Sequence, residues 1–294
     1  MKTSAIIRII LFTVLILVLV SVLAMSVMGF LGYRSFYGLT ERASSVSSVN
    51  EPDAPQEGAG GVVQEANMPV EGITEIEIQW VSGHVTVETG DVEEIRFSET
   101  PSDRPMYWFR DGDTLTIRFW EGKWPIIGAV PGKYRKDLKV IVPRDWAAEE
   151  ISIEAVEADV DIRDLVAEEL EFDGVSGKFH AENCQIGELD MDTVSGSIDY
   201  SGSLRELDVD SVSADCTLVL TNVPGLIEMD GVSGDLDVTL PVGAGLDIKL
   251  DSVSGKLVTD FPGTQSGKSF RTGDGACRIT VSGVSGGVRV NQAK

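Results

Sequence analysis

Hydrophobic and polar residues alternate through most of the chain between residues 151 and 290, and the alternating blocks repeat. Each block has two apolar positions before a Val and two after it, separated mostly by Asp, Glu, Lys, Ser or Thr. Alternation with a period of two predicts strands rather than helices, so each block is predicted to hold two short strands. The reference valines are Val156, Val175, Val194, Val212, Val232, Val253 and Val284.

The spacing of the blocks predicts how they assemble. Successive reference valines lie 19, 19, 18, 20, 21 and 31 residues apart. A period near twenty is typical of solenoids, in which each unit buries its apolar face by stacking on its neighbours. We therefore predict an all-β fold, a parallel β-helix with coils of 19–21 residues in which each strand pairs with the same strand of the next coil. The crossover preference of parallel strands predicts a right-handed solenoid.

The motif Asp-x-Val-Ser-Gly separates the two strands of most blocks and is predicted to form the corner of the coil. Asp or Ser can hydrogen-bond to nearby backbone, and Gly permits a close approach. Because Ala158 and Ala214 replace the Gly, we predict that this position requires a small residue more than a positive φ angle. Cys216 occupies an apolar column, which predicts a buried, unreactive thiol. The pairing of Cys184 and Cys277 cannot be deduced from their positions.

An apolar segment without charge occupies residues 9–31 and is long enough to span a bilayer. Lys2 and Arg8 precede it, which favours a cytoplasmic N-terminus at residues 1–8 and an extracytoplasmic remainder. The alternative is a cleaved signal peptide, with a small-x-small site at Ala24-Met-Ser26. The apolar core exceeds the usual length of about 7–15 residues for such a peptide, so we favour a transmembrane helix.

The remaining boundaries follow from composition. Residues 32–69 are rich in Ser, Ala, Gly, Pro and Glu and are predicted to form a flexible extracytoplasmic linker. Residues 70–294 are predicted to be the β-solenoid, with an irregular first section at 70–150 that caps the regular coils at 151–290. Gly263–Gly275 is predicted to be an exposed, mobile loop. Strands of the first section are predicted at Ile73–Trp80, Val85–Glu88, Ile95–Ser98, Met106–Arg110, Thr114–Trp120 and Leu138–Val142.

Aromatic and basic residues concentrate between Trp120 and Lys139. One interpretation is a loop that folds over the end of the solenoid and buries its apolar side chains. The other is a contact surface for lipid, an anionic polymer or a protein, since this composition also marks interfaces. The candidate contact residues are Trp120, Lys123, Trp124, Tyr134, Arg135 and Lys136.

The net charge of −23 disfavours nucleic acid as a partner. Asp and Glu also recur in columns before the reference valines, and a hard cation such as Ca²⁺ could relieve their repulsion. The calcium-binding β-roll and EF-hand motifs are absent, so we predict a solvated face and corner Asp residues bonded to backbone amides, and no metal site.

No candidate catalytic motif in the sequence has the context that its chemistry requires. Gly283-Val-Ser285-Gly-Gly287 fits the nucleophile-elbow pattern, but no His follows it, and Ser285 is a repeat corner. His84 and His180 have no ligand-type residues at metal spacing, and no phosphate-binding loop is present. We predict a protein that is not an enzyme, with no catalytic residues and no cofactor. Action on a polysaccharide is the distant alternative.

The repeats Leu207–Leu218 and Ile227–Val238 resemble those of the bacterial putative-adhesin family, whose repetitive β-strand domain often follows one membrane span. The resemblance covers about residues 70–290 and implies an extracytoplasmic domain at the cell envelope, without catalytic residues. We therefore expect a membrane-anchored, adhesin-like binding or scaffold protein that contacts the bilayer through its helix and a cell-wall polymer, surface polymer or envelope protein through its solenoid. The alternative is a sensor or accessory regulator of envelope stress that acts through its span.

Overall fold

The computed structural model describes residues 60–121 and 135–294. Within these ranges every regular element is a β-strand, which confirms the predicted all-β class. The described residues contain no helix that is long and apolar enough to cross a membrane. Residues 9–31 lie outside the described ranges, so the membrane helix stays a prediction.

The strands follow one another with short connections. In chain order they are β1 Gly60–Val63, β2 Glu65–Pro69, β3 Glu75–Gly90, β4 Glu94–Glu99, β5 Met106–Asp111, β6 Thr114–Arg118, β7 Lys136–Pro143, β8 Ala148–Arg163, β9 Val166–Ser176, β10 Lys178–Leu220, β11 Leu226–Ser233, β12 Leu236–Leu240, β13 Leu246–Ser252, β14 Leu257–Thr259, β15 Thr264–Ser266, β16 Ser269–Thr272, β17 Cys277–Gly283 and β18 Val288–Gln292. The strands predicted for the first section correspond to β3 to β7, except that the predicted strands Ile73–Trp80 and Val85–Glu88 form the single strand β3.

The strands form two ladders, and each coil contributes to both. Ile76 of β3 pairs with Ile151 of β8 in the first ladder, and Val85 pairs with Val160 in the second. The first, ladder A, runs β1, β5, β6, β3, β8, β9, β10, β11, β17, β13, β16, β15. The second, ladder B, runs β2, β4, β7, β3, β8, β10, β12, β18, β14. Pairing is parallel from β6 and β7 to β13 and β14, which gives a solenoid-like stack.

The predicted apolar columns fill the interior. Cross-strand pairing aligns Leu207 with Ile227 in ladder A and Cys216 with Leu236 in ladder B. The column five positions before the reference Val is fully buried in Ile151, Leu170, Leu189, Leu207, Ile227, Ile248 and Ile279. The column four positions after it is buried in Val160, Phe179, Ile198, Cys216, Leu236, Leu257 and Val288. Burying one such side chain stabilises the fold by about 1.5–3 kcal/mol, so burial of these columns stabilises the stacking of each coil on the next.

The corner glycines approach the backbone of the preceding coil. Gly177, Gly196 and Gly234 have φ angles of 139°, 149° and 147°. A Cβ at these positions would lie 2.2, 2.1 and 2.0 Å from the carbonyl oxygens of Ala158, Gly177 and Ala214. Ala158 and Ala214 do not have positive φ angles. The prediction that smallness outweighs positive φ agrees with Ala158, Ala214 and Gly255, which lack a positive φ, whereas at Gly177, Gly196, Gly234 and Gly286 both the dihedral and the contact favour glycine.

Polar groups at the corner bond across coils. The Ser195 hydroxyl donates to the carbonyl of Val175 at 3.4 Å. The carboxylate of Asp215 accepts from the backbone N–H of Asp235 at 3.0 Å, and that of Asp235 accepts from the N–H of Gly287 at 2.6 Å. These Asp residues follow the reference Val by three positions. Among the described residues, the Asp two positions before the Val makes no hydrogen bond to a backbone amide, and Oδ1 of Asp230 is buried without a partner.

The last repeat is not the end of the stack. Ile279 of β17 pairs with Ile227 on one side and with Ile248 on the other. The expectation that each coil pairs with the next coil in sequence is therefore wrong here, because β17 and β18 enter between β11–β12 and β13–β14. The insertion gives the final strands two neighbours each instead of one, which buries both of their edges.

The sequence predicts an exposed, mobile loop at Gly263–Gly275; most of its residues are exposed, and the structure adds a hairpin within it. Strands β15 and β16 pair antiparallel, and β16 pairs with β13 through Phe270 and Ile248. Phe270 is only 4% exposed, so an apolar anchor holds the hairpin against the outer edge of β13. The polar composition of the segment did not indicate that it pairs with β13.

The opposite end is closed by antiparallel strands. β4 pairs with β7 and β5 with β6, while β2 and β1 add to their outer sides. Gly60–Pro69 falls inside the predicted linker at 32–69, so the ordered part begins before residue 70. The pairing partners of β1 and β2 are distant in sequence, which explains why no local pattern marks them. These antiparallel strands pair with the first parallel strands of the stack.

A buried ion pair lies inside this cap. The Nζ of Lys136 is 2.5 Å from Oε2 of Glu99, and the two side chains are 3% and 0% exposed. Nζ also donates to the carbonyl of Arg104 at 2.8 Å and to that of Phe119. It lies 5.0 Å from the ring centroid of Trp80 and 4.3 Å from that of Phe119. The ammonium is therefore fully engaged within the protein.

Burial sets the protonation behaviour of this pair. Desolvation raises the pKa of Glu99 and lowers the pKa of Lys136, and their ion pair opposes both shifts. Removing one partner would leave the other charge buried and uncompensated, which is strongly destabilising. The pair therefore ties β7 to β4 at the closed end.

We expect Gly196→Ala to lower the free energy of unfolding by about 3 kcal/mol, because a Cβ there meets a backbone carbonyl at a glycine-only dihedral. Urea denaturation followed by circular dichroism measures it. The control is Gly112→Ala, where φ is 64° but nothing lies within 4 Å of the added atom. The control should lose about 1 kcal/mol. Equal losses would show that the close approach of the coils contributes nothing.

We expect Lys136→Met and Glu99→Gln each to cost about 3–5 kcal/mol, since each leaves its partner without a counter-group. The double variant should lose clearly less than the sum. A double-mutant cycle of unfolding free energies measures the coupling. Additive losses would mean that the two groups do not stabilise each other.

Candidate binding surfaces

The outward side of ladder A carries aligned carboxylates. Glu169 pairs with Glu188, Asp173 with Asp192, and Asp210 with Asp230, so like charges lie side by side on successive coils. Alternation with the buried columns places them on the outward side, although Oδ1 of Asp230 is buried and has no hydrogen-bond partner. We call this surface the acidic face; its members are Glu150, Glu169, Glu171, Asp173, Glu188, Asp190, Asp192, Glu206, Asp208, Asp210, Glu228 and Asp230.

Several carboxylates of this face have raised pKa values. Partial desolvation, followed by repulsion from neighbouring carboxylates, raises the pKa of Asp173 and of Asp208 to about 6. The same causes raise the pKa values of Asp192 and Asp210. These carboxylates are therefore ionised at neutral pH at a cost in free energy, which a positively charged partner would relieve.

Within residues 60–121 and 135–294, no group of three or more His, Cys, Asp or Glu side chains is arranged to hold a metal ion. Side chains in a ladder stand parallel, about 4.8 Å apart, and do not converge on a point. The columns give a broad negative surface rather than a coordination sphere.

The predicted contact residues separate into three groups. Lys123, Trp124 and Tyr134 lie outside the described residues. Trp120 is half-buried, packs edge-on against Phe119 at 5.0 Å and lies under the Arg104 guanidinium at 5.3 Å.

The other two described contact candidates are neighbours with opposite environments. Arg135 is exposed, whereas the adjacent Lys136 is the buried partner of Glu99. We therefore leave Lys136 out of any contact surface. Trp120 and Arg135 stand at the two ends of the segment, beside the cap.

The reference valines form a second surface, which the sequence patterns alone did not reveal. In stacking order they are Val156, Val175, Val194, Val212, Val232, Val284 and Val253, and we call this row the valine ridge. The side chains of Val175, Val194, Val284 and Val253 are 50%, 39%, 46% and 61% exposed. Hydrogen bonds from the N–H of Val284 to the carbonyl of Val232, and from the N–H of Val253 to that of Val284, place neighbours side by side. Its signal in the sequence was an invariant Val at a polar corner.

The nucleophilic side chains do not form a reactive site. The prediction that Cys216 is buried is confirmed, and Cys184 and Cys277 are also buried and free. Burial raises the pKa of the Cys184 thiol to about 11 and those of Cys216 and Cys277 to about 12, so all three stay protonated. His84 pairs with Asp161 at 3.0 Å on ladder B.

An open groove of about 600 Å³ lies beside the C-terminal hairpin. Its lining includes Thr264, Phe270, Arg271 and Asp247, and the Arg271 guanidinium lies 3.5 Å from the Asp247 carboxylate. Charge in the groove is therefore balanced internally, and the groove has no convergent set of polar groups.

We expect the melting temperature to fall by a few degrees between about pH 5 and about pH 8. The pKa of Asp173 and of Asp208 is about 6 in the folded protein against 3.8 as the reference value. Their stabilising contribution is present below the lower value and lost as pH rises through the higher one. Differential scanning calorimetry of wild type and Asp173→Asn/Asp208→Asn measures it, and the variant should depend less on pH. A matched Glu93→Gln/Asp103→Asn control that flattened the profile equally would contradict this assignment.

Comparison with known proteins identifies the family of the chain. No curated protein matches it in sequence. Similar solved structures are a "putative cell adhesion protein" from Clostridium sporogenes (11% identity, 78% of this chain and 98% of that one, TM-score 0.39) and a "putative adhesin" from Bacteroides fragilis (12%, 76% and 95%, TM-score 0.42). A "putative lipid binding protein" from Parabacteroides distasonis is also similar (14%, 82% and 99%, TM-score 0.34). The Toastrack DUF4097 family matches residues 67–291, which includes both ladders of the stack, and the chain therefore belongs to that family.

Proposed function

We propose that this chain is a non-enzymatic, membrane-anchored protein of the cell envelope whose extracytoplasmic solenoid works as an adhesin-like binding or scaffold domain. The observation that carries the proposal is the repetition of the outward surface. Successive coils present the same residue type at the same position, as in the pairs Glu169–Glu188 and Asp173–Asp192. A repetitive, extended surface suits the recognition of an extended partner better than the conversion of a small substrate.

The filled interior supports a role at the surface. The inward columns of both ladders are apolar and buried, and the groove beside the C-terminal hairpin is open and charge-balanced. The parallel stack also supports the finer description as a right-handed β-helix, because parallel crossovers have that hand.

The anchor is part of the proposal and rests on the sequence. Residues 9–31 are long and apolar enough to span a bilayer, and Lys2 and Arg8 favour an inside N-terminus. A tether would then hold the solenoid away from the membrane.

Within this function, the segment that follows β6 is a candidate for one contact. Trp120 and Arg135 lie at its two ends, and Lys123, Trp124 and Tyr134 fall between them. Aromatic and Arg side chains dominate binding energy at protein interfaces, which supports this choice.

A retention assay tests the proposal. Full-length protein in a nonionic detergent is immobilised and exposed to isolated envelope material at physiological salt. We expect wild type to retain envelope polymer or protein, and Trp120→Ala/Trp124→Ala/Tyr134→Ala to retain at least about fivefold less, since aromatic anchors are worth more than 1 kcal/mol each. Tyr107→Ala, in β5 of the same cap, is the control.

The outcomes separate the candidate functions. Equal retention by wild type and the triple variant would indicate that the contact lies on the ladders instead. No retention by any form would contradict the binding function, and a role in envelope-stress regulation through the span would replace it.

A further inference from the structure

The valine ridge runs along the whole stack of regular coils. Seven valines follow one another at the strand spacing of about 4.8 Å, which gives a row about 29 Å long. Val81, which precedes Val156 in the row, is 1% exposed, whereas Val175 and Val253 are 50% and 61% exposed. The row is thus covered at the capped end, exposed at Val175 and Val194 and again at Val284 and Val253, and partly covered at Val156, Val212 and Val232.

Exposed apolar rows of this kind favour contact with a partner. Scattered surface valines need no explanation, but a contiguous apolar strip bordered by polar residues marks an interaction site. Val is branched at Cβ and has few rotamers, so it loses little side-chain entropy on contact. The ridge is therefore a rigid surface that an apolar stripe can cover at low entropic cost.

A column of carboxylates borders the ridge on the side of ladder A. Asp173, Asp192, Asp210, Asp230 and Asp251 stand two positions before their valines, and Ser282 interrupts the column in the β17 coil. Among the ion pairs of the described residues, none reaches these five carboxylates. The border is consequently negative along most of its length, and at its far end the Lys268 ammonium donates to the carbonyls of Ser252 and Val253.

This charge disfavours two occupants. A second copy docking ridge to ridge in the antiparallel sense would bring its own Asp column against this one, and anionic lipid headgroups would be repelled in the same way. A partner that combines an apolar stripe with positive charge is complementary to both features.

The spacing of the valines selects the conformation of the partner. Side chains on one face of a strand recur about every 6.6–6.8 Å. On one face of an α-helix they recur three or four residues apart, which is about 4.5–6 Å along the axis. The helix repeat brackets the ridge spacing, and a helix of about 20 residues spans 30 Å, the length of the ridge.

We propose that the valine ridge and the adjoining Asp column bind a basic amphipathic α-helix of a protein partner. Its apolar stripe lies on the valines and its Lys or Arg side chains face the carboxylates. This inference rests on the proposed binding function and names the class of its partner.

The probe is a fluorescent amphipathic peptide of about 20 residues with Leu at helical spacing and Lys on the flanks. Its binding to the full-length protein in nonionic detergent is measured by fluorescence anisotropy. Two matched peptides replace Lys by Glu or Leu by Ser. We expect binding of the Leu/Lys peptide alone, with the Leu/Glu and Ser/Lys peptides at least about tenfold weaker.

Two sets of substitutions locate the site. Val175→Thr/Val194→Thr/Val284→Thr keeps the shape of the ridge and makes it polar, and Asp173→Asn/Asp192→Asn/Asp210→Asn removes the border charge. Each set should weaken binding at least about tenfold, because each removes contacts worth more than 1.4 kcal/mol together.

Matched controls correct for exposure and total charge. Val219→Thr/Val223→Thr/Val242→Thr changes valines of 49%, 38% and 72% exposure that lie off the ridge. Glu93→Gln/Asp103→Asn/Asp145→Asn removes three exposed acids near the cap. Both controls should bind like wild type.

The inference is overturned if the ridge variant binds like wild type or if either control loses as much affinity as its partner. It is also overturned if sedimentation shows that the wild type forms an oligomer and the ridge variant does not, since a second copy would then cover the ridge. Retention of envelope material without binding of the Leu/Lys peptide would remove this inference and leave the binding function intact. Failure of both assays would contradict the function itself.

Discussion

The close approach of one coil to the next at the corner is the constraint on which the structure depends. At Gly177, Gly196 and Gly234 the neighbouring carbonyl leaves no room for a Cβ. With the backbones this close, the Ser hydroxyl of one coil reaches the carbonyl of the coil before it, and the apolar columns come into contact on both ladders. The corner therefore sets the register, and register decides which side chains face inward.

The same register produces both candidate surfaces. Once the inward columns are aligned, outward Asp and Glu residues of the same position must also align, and repulsion between them raises the pKa of Asp173 and Asp208 to about 6. The reference valines likewise line up at the corner, where Val175, Val194, Val284 and Val253 are exposed. The acidic face and the valine ridge are thus consequences of repetition, and binding could exploit them without any dedicated pocket.

The two ends of the stack are closed by different physical means. At the first end, antiparallel strands enclose Lys136 and Glu99, whose ion pair is stable only because each charge compensates the other. At the other end, β17 and β18 insert between β11–β12 and β13–β14. The hairpin anchored by Phe270 covers β13. Both solutions reduce the unpaired edges that an open solenoid would expose.

The sequence by itself determined the all-β class, the period, the inward columns and the burial of Cys216, because local alternation and repetition encode them. It also contained the valines of the ridge, but their exposure depends on the direction of the corner and could not be deduced from spacing. Only the tertiary structure decided the insertion of the last coil, the strands at Gly60–Pro69, the hairpin around Phe270 and the burial of Lys136. Each of these depends on pairing between residues far apart in sequence, and no local pattern records which distant strand or charge will be the partner.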